Sequence, residues 1–326
     1  MLNLTMLSGQ ALASMHVGEV SDVKGLKQRL TQVYGLPPPF RQRVLLNGES
    51  LKDAVRLDSP MNLDLALLTY ADVSQDQIDD LAAAARQGSV SKVEGMMQLP
   101  QDPDAIGTTG EPALMIASRQ GHAEVVRVLL EAGAGTNVAD KEGTTALMMA
   151  SEQGHAEVVN LLLEASAGTN VAVKNGTTAL MIAAGQGHAE VVRLLLEAGA
   201  HRDLAGAGTN VADKESTTAL MIASKQGHAE VVRLLLEAGA GTNVVDKDGT
   251  TALIIAAGRG HAEVVRLLLE AGAGTNVADK DGTTAVMIAS KLGHAEVVRL
   301  LLEAGADWLP TAAGQLRLSR RSKFFS

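Results

Sequence analysis

"GHAEVVRLLLEAGAGTNVADKDGTTA", residues 260–285, is one of several near-copies of a single phrase in this chain. Its opening "GHAEVV" begins at Gly121, Gly154, Gly187, Gly227, Gly260 and Gly293. Equivalent units open at Gly110, Gly143, Gly176, Ser216, Gly249 and Gly282, spaced 33, 33, 40, 33 and 33 residues apart. A fixed period in this range marks stacked repeats. A catalytic site needs unlike residues converging on one point, so a chain spent largely on copies of one phrase argues against an enzyme.

Each unit parses into two short helices and a turn-rich finger. In the second unit Thr145 can cap a first helix by accepting a backbone N–H, "ALMMAS" continues it, and Gly154 suits a left-handed C-cap. The second helix follows as "HAEVVNLLLEA", where Val158, Leu161 and Leu162 recur at helical spacing and line one apolar face. "GTNVAVKNG" then has the composition of a hairpin-like finger. Two helices of about ten residues cannot bury that face alone, whereas stacked copies can, each supplying its neighbour's missing core.

The units resemble ankyrin repeats in the 33-residue period, the Thr-x-Leu start, "GH" between the helices, "LLLEAGA" closing the second, and a finger asparagine at Asn137, Asn170, Asn210, Asn243 and Asn276. The family's T-P-L-H is written "TTALM" or a variant, with Ala for Pro and Met or Ile for His. The resemblance implies an α solenoid of paired helices with β-hairpin fingers, and a concave groove lined by the first-helix ends and the fingers. Most columns repeat unchanged, but that helix end varies: Arg119, Glu152, Gly185, Lys225, Gly258 and Lys291, then Gln120, Gln153, Gln186, Gln226, Arg259 and Leu292. The groove residues expected to meet a partner are Arg119, Glu152, Lys225, Arg259, Lys291 and Leu292.

The period continues upstream in weaker form. "DDLAAAARQGSVSKVEGMMQLPQDPDA" sets Gly88-Ser89 33 residues before Gly121-His122. It reads as a capping repeat over 76–109, without the finger. Six repeats follow over 110–310, with seven extra residues, "HRDLAGA", at 201–207. Trp308 and Leu309 are expected to cover the last helix pair, and the basic tail 311–326 to be a disordered terminus. Ser166 replaces a C-terminal helix glycine and Val173 a finger aspartate. Together with the insertion, these place a seam in cooperativity between the second and fourth repeats.

Residues 1–72 differ. "LNLTMLSGQALASMHV" reads as two strands about a Ser8-Gly9 turn. "SDVKGLKQRLTQVYG" reads as a helix with Val23, Leu26 and Leu30 on one face, closed by Gly35. "QRVLLNG" and "MNLDLALL" give two more strands. This ββαββ order, with "GLPPPFRQRVLLNGESLKD", resembles ubiquitin and its relatives, a small α+β β-grasp fold. That resemblance implies an aliphatic patch at Leu7, Leu45 and Ala66. The terminal diglycine used for conjugation is replaced by "LLTYADV", and Glu49 stands where the chain-building lysine falls. It therefore implies a fixed docking module for ubiquitin-pathway proteins and not a tag.

Composition narrows the remaining classes. There is no cysteine, which excludes disulfides and thiolate chemistry. No basic residue precedes Lys24, so no signal peptide is expected. No apolar run is long enough for a membrane span, and cytosol or nucleus is the expected compartment. Net charge is 0 over residues 1–75, −13 over 76–310 and +4 over the tail. An acidic body repels phosphate backbones, so nucleic acid is not an expected partner.

Six of the eight histidines, His122, His155, His188, His228, His261 and His294, sit at one point of successive repeats. Neighbouring helices pack ~10 Å apart, too far to share a metal whose ligands lie ~2 Å from it, so they read as structural helix-start residues. Arg127, Arg193, Arg233, Arg266 and Arg299 each have Glu three residues before and four after, the spacing of self-paired helical charges. Asp140, Asp213, Asp246 and Asp279 read as turn residues. With no phosphate loop, nucleophile elbow or acid/base set, no catalytic residue, cofactor or metal is expected. The sequence reads as a monomeric, non-enzymatic adaptor or scaffold; a rigid spacer and a regulatory subunit of an enzyme complex are the alternatives.

Overall fold

The computed structural model describes residues 1–307 apart from 71–72, 100 and 201–207. Trp308, Leu309, the basic tail and the seven-residue insertion named above lie outside the described residues. The chain divides into two compact units, one running from Met1 to Gly168 and the other starting at Thr169.

The first unit opens with a mixed sheet. Its strands are β1 (Leu2–Met6), β2 (Ala11–Met15), β3 (Gln42–Leu46), β4 (Glu49–Ser50) and β5 (Met61–Leu67), ordered β2-β1-β5-β3-β4. β1 and β5 run parallel and the other pairs antiparallel. Alternation along the strands turns Leu2, Leu4, Val44, Leu63 and Leu65 into the core, the period-two burial of a half-covered sheet. Helix α1 (Val23–Tyr34) supplies Val23, Leu26 and Leu30 to that core. Asp22 caps α1 by accepting from the Gly25 N–H at 2.8 Å, and Gly35 ends it in the left-handed region. Four strands were expected; β4 is a fifth, only two residues long. It follows a turn in which Asn47 and Gly48 both have positive φ, the conformation of a tight hairpin.

α2 (Gln75–Gln87) and α3 (Val90–Met97) form the cap, and Ser74 and Gln77 cap α2 reciprocally. Two repeats follow: α4 (Ala113–Gln120) with α5 (Ala123–Glu131), and α6 (Ala146–Gln153) with α7 (Ala156–Glu164). Within this unit the sheet region meets the first repeat. Lys24 Nζ is 3.1 Å from Glu131, and a Cβ on Gly133 would overlap the Pro38 ring.

The second unit holds four helix pairs: α8 (Ala179–Gln186) with α9 (Ala189–Ala200), α10 (Ala219–Gln226) with α11 (Ala229–Glu237), α12 (Ala252–Arg259) with α13 (Ala262–Glu270), and α14 (Ala285–Lys291) with α15 (Ala295–Glu303). In both units first helices pack on first helices and second on second. The third and fourth repeats pack in this way too, through α8 on α10 and α9 on α11. Val231, Val232 and Leu235 of α11 are at most 1% exposed. Each such side chain stabilises by about 1.5–3 kcal/mol relative to exposure, which only the neighbouring repeats make available.

Local chemistry explains why each phrase folds alike. Thr145, Thr178, Thr218 and Thr251 each accept an N–H three residues on. Asp213 Oδ1 accepts from the Glu215 and Thr217 N–H groups at 2.9 and 2.8 Å, fixing its finger. Asp140 does the same in the second repeat; burial works against its ionised form, but the N–H donors of Thr144 and Glu142 prevail and hold its carboxyl below the usual range. Where Val173 replaces this aspartate, Asn175 Oδ1 accepts from Thr177 instead.

The cap corrects one expectation. Asp104 lies 33 residues before Asn137 and takes the role of a finger asparagine, both oxygens accepting from Gly135 N–H at 2.9 and 3.0 Å. Asn137, Asn210 and Asn243 make the same bond to Gly168, Gly241 and Gly274. The capping repeat thus keeps the inter-repeat tie of a finger. Burial pushes the Asp104 carboxyl above its ordinary value despite that bond, a penalty a neutral asparagine avoids.

Candidate protein-binding groove

The histidine column is scaffold. Nε2 of His122, His155, His228, His261 and His294 hydrogen-bonds a carbonyl of the preceding unit at 3.1–3.2 Å, for example His261 to Lys225. The ring also sits against the helix-ending glycine of that unit. A Cβ on Gly121, Gly187, Gly227 or Gly260 would lie 2.6–2.7 Å from it. Glycine in "GH" is thus demanded twice, by positive φ and by the next histidine. No side chain of this column is left to reach a ligand.

The arginine column is also self-contained. Arg193, Arg233 and Arg299 each bridge the glutamates three residues before and four after. Those bonds raise the guanidinium pKa and lower those of Glu190, Glu230 and Glu296. Arg127 and Arg266 pair with Glu124 and Glu263.

A groove runs along repeats four to six within the second unit, with a volume of about 740 Å³. Three of the expected partner residues, Lys225, Arg259 and Leu292, line it together. Lys291 is exposed beside Leu292 at the end of α14. Ile222, Ile255 and Ile288, one per repeat, form a half-exposed apolar floor. Asp213 and Asp246 bring the finger side into the lining. Leu292, 52% exposed, continues the apolar lining into the end of the sixth repeat's first helix. Among the described residues Lys225, Arg259 and Lys291 make no side-chain ion pair or hydrogen bond, unlike the arginines of the second helices.

The corresponding edge of the first unit is occupied by its own side chains. Arg119, expected to face a partner, makes a two-pronged ion pair with Glu111, one prong at 2.9 Å, and its Nε lies 3.3 Å from Met149 Sδ. Ile116 and Met149, which correspond to the isoleucine floor, are only 1% and 8% exposed. The Glu111 hydrogen bonds raise the Arg119 pKa, against some desolvation, and the charges of Glu111, of Glu152, exposed on the same edge, and of Asp140 add to the rise. The cause is local: Glu111-Pro112 stands where later repeats have Thr-Thr, as at Thr217-Thr218.

A family profile described as "Ankyrin repeats (3 copies)" matches residues 81–175, 166–246 and 238–311. The chain belongs to the ankyrin-repeat family. Its fold is similar to the crystal structure of an ankyrin repeat domain from Acinetobacter baumannii AYE, with 33% identity and a TM-score of 0.54, over 60% of this chain and 98% of that one. No curated protein matches the chain. Ankyrin repeats are protein-interaction modules, and no catalytic family is indicated. Among the described residues no helix is long and apolar enough to cross a membrane.

Outside the ankyrin array, the N-terminal sheet carries Leu7, Leu45 and Ala66 away from its core. Ala66 pairs with Arg43 and Leu45 with Asp64, out of phase with buried Val44 and Leu65. Leu7 N–H bonds the Leu65 carbonyl at 3.1 Å while its side chain is 65% exposed. After β5 the chain is pinned by Arg41, which lies 4.5 Å from the Tyr70 ring centroid and donates to the Leu68 carbonyl. Sequence reasoning missed the Glu111–Arg119 pair and the Asp104 tie; the departure from Thr-Thr and the 33-residue offset were the available signals.

Proposed function

We propose that this protein is a non-enzymatic adaptor whose ankyrin groove over repeats four to six binds a protein partner, while residues 1–72 dock as a ubiquitin-like domain to ubiquitin-pathway proteins. The observation carrying the first half is the meeting of Lys225, Arg259 and Lys291, which have no ionic partner among the described residues, with the half-buried isoleucine floor and exposed Leu292. Such a surface is preformed, so binding orders little of the protein itself. Reversing charge at Lys225 and Lys291 is expected to weaken an affinity-captured partner at least tenfold without lowering Tm. Equal loss from reversing Arg233 and Arg266 would place the contact on the second helices instead.

The ubiquitin-like reading is supported by the strand order, the parallel central pair and the exposed Leu7 beside Leu45 and Ala66. The segment 67–73 has no glycine, so the domain acts as a surface and forms no isopeptide bond. Incubation with activating and conjugating enzymes should give no covalent adduct through residues 70–73, and such an adduct would end this half of the proposal. On this reading the boundaries fall near 72, 109 and 310, with Arg119 and Glu152 at an edge the partner does not need.

A further inference from the structure

We propose that the groove of repeats four to six receives an amphipathic helix bearing a carboxylate at every seventh residue on one edge, with aliphatic side chains between. This rests on the groove being the binding face and adds the chemistry of its partner. Lys225, Arg259 and Lys291 stand on three successive repeats, exposed and, among the described residues, without an ionic partner. They complement a row of negative charges. Beside them the floor offers one half-exposed isoleucine per repeat, at Ile222, Ile255 and Ile288.

The spacing selects the partner's conformation. First helices of adjacent repeats pack ~10 Å apart. Seven residues of α-helix rise ~10.5 Å and return the side chain to nearly the same face. A strand covers ~10 Å in three residues, but an odd step turns the side chain to the opposite face. An extended segment therefore reaches alternate repeats only, whereas a helix meets all three cations from one edge and the apolar floor from the next. In the middle repeat the position equivalent to Lys225 is Gly258, and the cation moves one place on to Arg259. A Cβ on Gly258 would lie 3.3 Å from the Ile288 side chain of the next repeat, so the glycine lets that floor residue pack close while Arg259 supplies the middle charge. Asp213 and Asp246 on the finger side oppose the same carboxylates and fix the helix with its acidic edge toward the first-helix ends.

The test is selection of random 20-residue displayed peptides on the full-length chain and, in parallel, on a Lys225→Glu/Arg259→Glu/Lys291→Glu chain. Wild type is expected to enrich Asp or Glu at seven-residue spacing with Leu, Ile or Val between, and the bound peptides should gain helical circular dichroism. The reversed chain should enrich Lys or Arg at those positions and bind the wild-type peptides at least tenfold more weakly. The three positions are solvent-exposed, and the single variants Lys225→Glu and Lys291→Glu, each expected to weaken binding severalfold, carry the same test should the triple variant misfold. Peptides that are lost on Leu292→Asp but show no acidic seven-residue pattern, or bind extended, overturn the helix proposal and leave the groove reading standing. Recovery of no peptide sensitive to either the charge reversal or Leu292→Asp overturns both.

Discussion

The first two repeats and the last three share a scaffold and differ at its edge. His155 ties to the Arg119 carbonyl as His261 ties to the Lys225 carbonyl, and the same asparagine bonds link the fingers. At the edge, however, Arg119 folds back onto Glu111 and Met149, whereas Lys225, Arg259 and Lys291 have no ionic partner among the described residues and stand above half-buried isoleucines. Two local departures separate the conditions: Glu111-Pro112 for Thr-Thr in the first repeat, and Met149 for the floor isoleucine in the second. A repeat protein can thus hold its architecture constant and decide which stretch of edge is available by a few local side chains. The varied helix-end positions are unequal for the same reason: a charge there is a candidate contact only where the repeat does not neutralise it.

The largest expected effects test the premise that the scaffold is equal in both regions. Gly121→Ala in the first unit and Gly227→Ala in the second each place a Cβ 2.6–2.7 Å from the next histidine at positive φ. Both should cost about 2–4 kcal/mol. Gly293→Ala has the same φ but no neighbour within 4 Å among the described residues and should cost only ~1 kcal/mol. Urea denaturation compares the three, and unequal costs at 121 and 227 would mean that the regions differ in more than their edges.

The next effect exchanges the edges. Thr217→Glu with Lys225→Arg should rebuild the Glu111–Arg119 bridge in the fourth repeat and lower peptide affinity at least tenfold, or ~1.4 kcal/mol, with Tm retained. Glu111→Thr should cost about 1–2 kcal/mol, because it strands a half-buried guanidinium. Calorimetry reads both, and a graft that leaves affinity unchanged would break the comparison.

Smaller effects concern the first unit alone. Ser166 adopts φ +66, so Ser166→Gly should stabilise by ~1 kcal/mol and slow amide exchange around 160–168. Asp104→Asn keeps the acceptor and removes a half-buried charge, for a gain that solvent screening holds below ~1 kcal/mol at neutral pH. The sign follows from the raised carboxyl: the wild type loses stability as pH rises from the ordinary aspartate value through the raised one, and the variant should lack that dependence. A variant less stable than wild type at pH 7 would contradict the reading of Asp104.

Much of this was legible in the sequence because the repeat itself reports it. The period, the threonine caps and the Glu-Arg-Glu spacing are local features, and local physics decides them. Lys225, Arg259 and Leu292 could be singled out because they vary in otherwise constant columns, and they do line one groove. The histidines were read as structural, but their partner is a carbonyl 36 residues back, or 43 at His228 across the insertion, visible only once repeats stack. Glu111 escaped notice because its partner is eight residues away across a cap and a helix, outside any helical period. β4 escaped because two residues carry no alternation to read. The seam was placed between the second and fourth repeats; the two units divide after Gly168, and repeats three and four pack as the others do.

Hydrogen exchange of the full chain with and without a selected peptide tests the central claim most directly. Binding in the open groove should protect the first-helix segments 217–226, 250–259 and 283–292, and leave 113–120 and 146–153 unchanged. Protection confined to the second helices 229–237, 262–270 and 295–303, or equal protection at 113–120, would contradict it.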